Sequence, residues 1–95
     1  MKQLRLSSLA KSDLGEIWLF IAEDNVSVAD RFIDELFSKF LILIEQPILG
    51  RDRQDVREGV RSLVCGKLVI FYKLTEGVVD IVRVLHGARD IENIF

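Results

Sequence analysis

Apolar positions recur along this 95-residue chain with two different periods, and the change from one to the other falls at Pro47. Before it, Ala10, Leu14, Ile17, Trp18 and Ile21 follow the i, i+4, i+7, i+8, i+11 spacing of one helical face. Ala29, Phe32, Ile33, Leu36, Phe37, Phe40, Leu43 and Ile44 make a second, longer stripe. Ser8 stands where it can cap the first helix, Gly15 weakens that helix slightly, and Asn25 marks the turn out of it. Ser27 then starts the second helix, with Asp30 complementing its N-terminus, and Pro47 and Gly50 end it. The spacing predicts an antiparallel helical hairpin from about Ser8 to Gln46, since the connection between its helices is short.

On both sides of the hairpin the period is two. Lys2 to Leu6 alternates polar and apolar, as a short first strand does. After Pro47 come three strand-like segments at about 60–65, 68–74 and 78–85, joined by hairpin turns at Gly66-Lys67 and Thr75-Glu76-Gly77. The expected fold is α+β: an N-terminal strand and a helical hairpin packed on one face of a mostly antiparallel, four-stranded sheet. Residues 1–95 form a single domain, because a chain of this length has no room for a second core.

Composition narrows the function classes. Apolar residues make up 49% of the chain and charged ones 29%, a globular balance. Residues 1–50 carry five Lys/Arg against eight Asp/Glu, and residues 51–95 carry eight against seven. That is not the footprint of a protein that binds nucleic acid by bulk charge, so direct binding of nucleic acid by this chain alone is expected to be weak. The run from Arg51 to Glu58 neutralises itself and reads as a solvated loop. The start of the chain has no apolar run of signal-peptide length, and Phe40 to Ile44 is too short to span a bilayer, so a cytoplasmic protein without membrane contact is expected. One cysteine, Cys65, excludes an internal disulfide, and with a single histidine no zinc site is expected.

Two groups of residues remain as candidate chemistry. Leu19 lies opposite the core stripe of the first helix and Phe20 at its margin, while Leu41 and Ile42 fall outside the stripe of the second. Four large apolar residues on neighbouring helices are expected to form a contiguous patch for a partner. The second group is cationic. Arg61 and Arg83 sit inside apolar strands, and His86 and Arg89 follow the last one. Such charges must face water or be paired, for example with Asp80, Glu58 or Asp90. Arg83 shares its alternation with Val79, Ile81 and Leu85, and an open cationic edge of Arg83, His86 and Arg89 is expected.

The pieces Gly59-Val60-Arg61-Ser62-Leu63, Val69-Ile70-Phe71-Tyr72-Lys73 and Ile81 to Asp90 resemble the C-terminal half of the RelE/ParE superfamily of bacterial toxins, and its ParE branch more closely. The resemblance extends back through the Ala…Asp-Leu…Ile-Trp helix and the helix that ends in Pro, then Gly-Arg, and so covers nearly the whole chain. It implies the RelE/ParE-like toxin fold and a toxin of a type II toxin–antitoxin pair, acting without cofactor or metal. Its target would be DNA gyrase, poisoned by contact through Arg61, Arg83, His86 and Arg89. A cognate ParD-like antitoxin would fold over Leu19, Phe20, Leu41 and Ile42. RelE-like relatives are instead ribosome-dependent mRNA interferases, and that alternative would use Arg61, Arg83 and His86 as catalytic groups. Gly87 stands where those nucleases tend to have Tyr, and the segment from Asp90 to Phe95 is acidic and apolar rather than basic, so a non-enzymatic toxin is the expectation. A third alternative is a non-toxic interaction module.

Overall fold

The computed structural model describes residues 3–87. In chain order these form β1 (Gln3–Leu6), α1 (Ser8–Ala22), α2 (Val26–Glu45), β2 (Arg51–Asp52), β3 (Val60–Cys65), β4 (Leu68–Thr75) and β5 (Val78–His86). The strands make one sheet of order β1-β5-β4-β3-β2, in which β1 runs parallel to β5 and the other pairs are antiparallel. The α+β architecture, the hairpin and the three C-terminal strands stand where the two periodicities place them.

The helix starts differ from expectation by one or two residues. Ser7, not Ser8, caps α1: its Oγ accepts the Ala10 N–H at 2.9 Å. Asn25, not Ser27, caps α2 by accepting the Val28 N–H at 3.1 Å. A cap must keep extended backbone while its side chain turns back to the first free N–H groups, and both residues do so. Ser7 also ties α1 to the sheet, since its N–H donates to the Ile81 carbonyl at 3.0 Å and its hydroxyl to the Val82 carbonyl at 2.7 Å.

The run from Arg51 to Glu58 is not wholly a solvated loop. Arg51 and Asp52 pair with Ser62 and Arg61 as β2, a fifth strand too short to leave a period in the sequence. Val56 packs from the same segment onto the sheet.

Two apolar clusters lie on opposite faces of the sheet. Ala10, Leu14, Leu36, Phe40 and Leu43 of the hairpin meet Cys65, Leu68, Ile70, Tyr72, Val79, Ile81 and Val84. On the other face Val60, Phe71 and Leu85 gather with Val56 and Val69. Successive strand residues point to opposite faces, so the unbroken apolar run Ile70-Phe71-Tyr72 in the middle of β4 serves both clusters. Trp18, expected in the core stripe, is only half-buried: its Nε1 donates to Asp30 Oδ1 at 2.8 Å and so links α1 to α2.

A β-bulge resets β5. Phe71 pairs with Arg83 and Tyr72 with Ile81, so Val82 is an extra residue. Val84 therefore joins Val79 and Ile81 beneath the helices, and Leu85 joins the opposite cluster. The expected common phase of Arg83 with Val79 and Ile81 fails for this reason, while Arg83 stays in phase with Leu85. Among the described residues no helix is long and apolar enough to cross a membrane, and no group of three His, Cys, Asp or Glu side chains is placed to hold a metal ion.

Candidate functional site

Arg83 is held at the edge of the sheet by a carboxylate from α1. Its Nε and Nη2 each donate to Asp13 at 2.8 Å, one bond to each oxygen, and Asp13 Oδ2 also accepts the Val84 N–H at 3.0 Å. β1 pairs with β5 only up to Ile81. Beyond that point α1 replaces the missing strand, with Ser7 taking the Val82 carbonyl and Asp13 the Val84 N–H. The bonds to Asp13 raise the Arg83 pKa against the opposing effect of burial. The open-edge expectation is thus overturned for Arg83, whose side chain is 16% exposed and whose partner's is 8% exposed. Asp80, one of the partners expected from the sequence, pairs instead with Arg5, and Asp90 lies outside the described residues.

Arg61 has a different environment. Its Nε donates to the Gly50 carbonyl at 2.9 Å and its Nη2 to the Ile48 carbonyl at 3.2 Å. The same turn is gripped from below by Tyr72, whose hydroxyl donates to the Pro47 carbonyl and accepts the Gly50 N–H, both at 2.8 Å. Gly50 has no space for a side chain, because a Cβ there would lie 2.5 Å from Tyr72 Oη. Arg61, Tyr72 and Gly50 together fix the passage from α2 to β2.

The sheet does not bring Arg61 and His86 together. Arg61 lies in the row with Tyr72 and Ile81, whereas exposed His86 lies in the row with Leu68 and Cys65. Four residues along the strands and two strand spacings across separate them, about 14 Å and about 10 Å. Arg83 is tied to α1 between these rows. Arg89 lies outside the described residues.

Leu19, Phe20, Leu41 and Ile42 are all exposed, with Phe20 at 79%. They do not form the single contiguous patch expected of them. Consecutive residues on a helix diverge by about 100°, so Leu19 and Phe20 face different ways, as do Leu41 and Ile42. Leu19 and Phe20 stand near the hairpin turn, and Leu41 and Ile42 near its open end, roughly 20 Å further along at 1.5 Å per residue. The sequence pattern assigns Gly50 only the role of ending the second helix, and Asp13 no role of its own. Asp13 did leave a signal, since it stands three residues after Ala10 and four before Ile17, on the core face itself, where a carboxylate needs a partner.

A strand, a helical hairpin and an antiparallel meander in this order make up the RelE/ParE-like fold. The fold is that of a solved chain from the chromosomal ParDE TA system from P. aeruginosa, with a TM-score of 0.77 and 18% identity over 90% of this chain and 96% of that one. Residues 4–91 match the family described as the ParE toxin of the type II toxin–antitoxin system parDE, and the chain belongs to that family. Toxin ParE1 of Caulobacter vibrioides is 38% identical over 92 residues, which cover 95% of this chain and 94% of that protein. Toxin ParE1 of Mycobacterium tuberculosis is 35% identical over 89 residues, covering 92% and 91%.

Proposed function

We propose that this ParE-type toxin acts in the cytoplasm by binding and poisoning DNA gyrase, without catalysis or cofactor, and that a cognate ParD-like antitoxin holds it inactive. What supports contact over catalysis is the dispersal of the groups that an RNA-cleaving site would use. Such a site needs a base for the 2′-OH, a cation for the phosphorane and an acid for the leaving oxygen, all within hydrogen-bond reach of one phosphate. Here Arg61 is engaged by two carbonyls, Arg83 by Asp13, and His86 stands apart from Arg61 across two strands. Half-buried Arg61 and exposed His86, with Arg89, are the target-contact candidates. Leu19, Phe20, Leu41 and Ile42 are the antitoxin-contact candidates, as two separated anchors rather than one patch.

The test is to add the purified protein to gyrase and relaxed plasmid, and in parallel to induce it in cells and follow mRNA integrity. Lost supercoiling or trapped cleaved DNA, with intact mRNA, is the expected result. Codon-specific mRNA cuts with normal supercoiling would replace this reading by the interferase. Absence of any toxicity would leave an interaction module.

A further inference from the structure

Four arginines in or beside the sheet have side-chain partners that can be compared. Arg5 bonds Asp80, Arg53 bonds Asp55 and Arg83 bonds Asp13. Arg61 bonds only the neutral carbonyls of Gly50 and Ile48, and among the described residues it has no carboxylate partner. Its half-buried charge forms one wall of a cleft of about 180 Å³ that Pro47, Ile48, Asp52, Gly59, Val60 and Leu74 also line. Asp52 is the cross-strand neighbour of Arg61, yet its Oδ1 accepts the Gln54 N–H and it makes no ion pair with Arg61. Ile48 and Leu74 stand at the mouth, 75% and 45% exposed.

The cleft is too small for a drug-sized ligand, since such sites run to about 300–1,000 Å³. It has room for one large apolar side chain. Burying that side chain between Pro47, Ile48 and Leu74 would strip water from Arg61 and strengthen its attraction for an anion beside it.

We propose that the Arg61 cleft docks a segment of the protein target in which a carboxylate residue adjoins a large apolar one, the apolar side chain entering the cleft and the carboxylate pairing with Arg61. The inference rests on the contact-poison reading and names the chemistry of the surface which that contact uses. Arg5 and Arg83 show how this fold handles a strand cation when the chain itself supplies the anion. At Arg61 the anion is left to a partner.

The test is made directly on the protein with capped tetrapeptides Ser-Glu-Phe-Ser and Ser-Lys-Phe-Ser, followed by amide and Arg Nε–H chemical shifts. The expected result is that the Glu peptide alone shifts Ile48, Val60, Arg61 Nε and Leu74, and that Leu74→Glu, at an exposed position that should stay folded, abolishes the effect. The same variant should raise the concentration for half-inhibition of gyrase at least 10-fold, while Leu74→Lys, which brings a second cation to the mouth, should retain tighter inhibition than Leu74→Glu. No cleft shift with either peptide, equal shifts with both, or shifts caused instead by a single-stranded RNA dodecamer would each overturn the proposal. If the Glu peptide binds the cleft but the wild-type protein leaves supercoiling untouched, the cleft stands and the gyrase reading falls. If supercoiling is blocked equally by wild type and Leu74→Glu, the gyrase reading stands and the cleft falls.

Discussion

Asp13 on α1 closes a fork around Arg83 of β5, two 2.8 Å bonds between residues 70 positions apart in the chain, and the same carboxylate caps the Val84 N–H. Both side chains are largely hidden from water, so neither tolerates loss of the other. Asp13→Ala is expected to destabilise the protein by about 3–5 kcal/mol, because it takes the bidentate carboxylate from a largely hidden cation and the acceptor from the Val84 N–H. Urea unfolding measures it. The double variant Asp13→Leu/Arg83→Met should lose less than Asp13→Ala alone, since it leaves no unpaired charge. A double variant as unstable as the sum of its singles would show that the pair is not coupled.

Gly50 and Tyr72 make a second paired prediction. A Cβ at Gly50 would meet Tyr72 Oη at 2.5 Å and the Ser62 carbonyl at 2.8 Å, so Gly50→Ala should cost about 1–3 kcal/mol through overpacking. Tyr72→Phe removes the acceptor of the Gly50 N–H and should cost about 1–3 kcal/mol. Thermal unfolding of both variants checks this, and a Gly50→Ala protein as stable as wild type would mean that the turn relaxes freely.

Acid stability should depend on Asp80. The hydrogen bonds from Arg5, and then its charge, hold the Asp80 carboxyl below its ordinary value of 3.8. A carboxylate depressed in the folded state binds protons more readily when unfolded. Its stabilisation is therefore present above about pH 4 and is lost as pH falls through the folded value. Melting temperatures from pH 6 to pH 3 should fall less steeply for Asp80→Asn than for wild type. Asp55, lowered in the same way by Arg53, contributes in the same direction.

Leu19→Asp combined with Leu41→Asp should change stability by no more than about 0.5 kcal/mol per site, as both side chains are exposed. Affinity for the antitoxin should nevertheless fall by several kcal/mol, because buried apolar anchors dominate such interfaces. Calorimetric titration of the folded double variant decides it, and unchanged affinity would move the antitoxin site off the hairpin.

His86→Ala is expected to lower toxicity by no more than about 10-fold, as the loss of one contact among several does. A nuclease that used the imidazole for proton transfer would lose roughly 10²-fold or more in rate. A loss of that size in cell-killing or mRNA-cleavage assays would restore the catalytic alternative.

The chain's own periodicities determined most of the fold. Helical stripes before Pro47, alternation after it and glycine-bearing turns at Gly66 and Gly77 are local signals, and each element obeys them because burial of one face selects one period. Family membership was legible for the same reason, since order and spacing of these elements are properties of the sequence itself. Tertiary structure alone decided the chemistry of the cations. One bulge residue, Val82, shifts the phase of β5, and nothing in the local pattern marks it. The partners of Arg83, Arg61 and Tyr72 come from α1 and the α2–β2 turn, 70, 11 to 13 and 22 to 25 positions away. Alternation tells which way a side chain leaves its strand, but the group it meets is set by how distant elements pack, and that packing made one arginine a structural tie and left another facing a cleft.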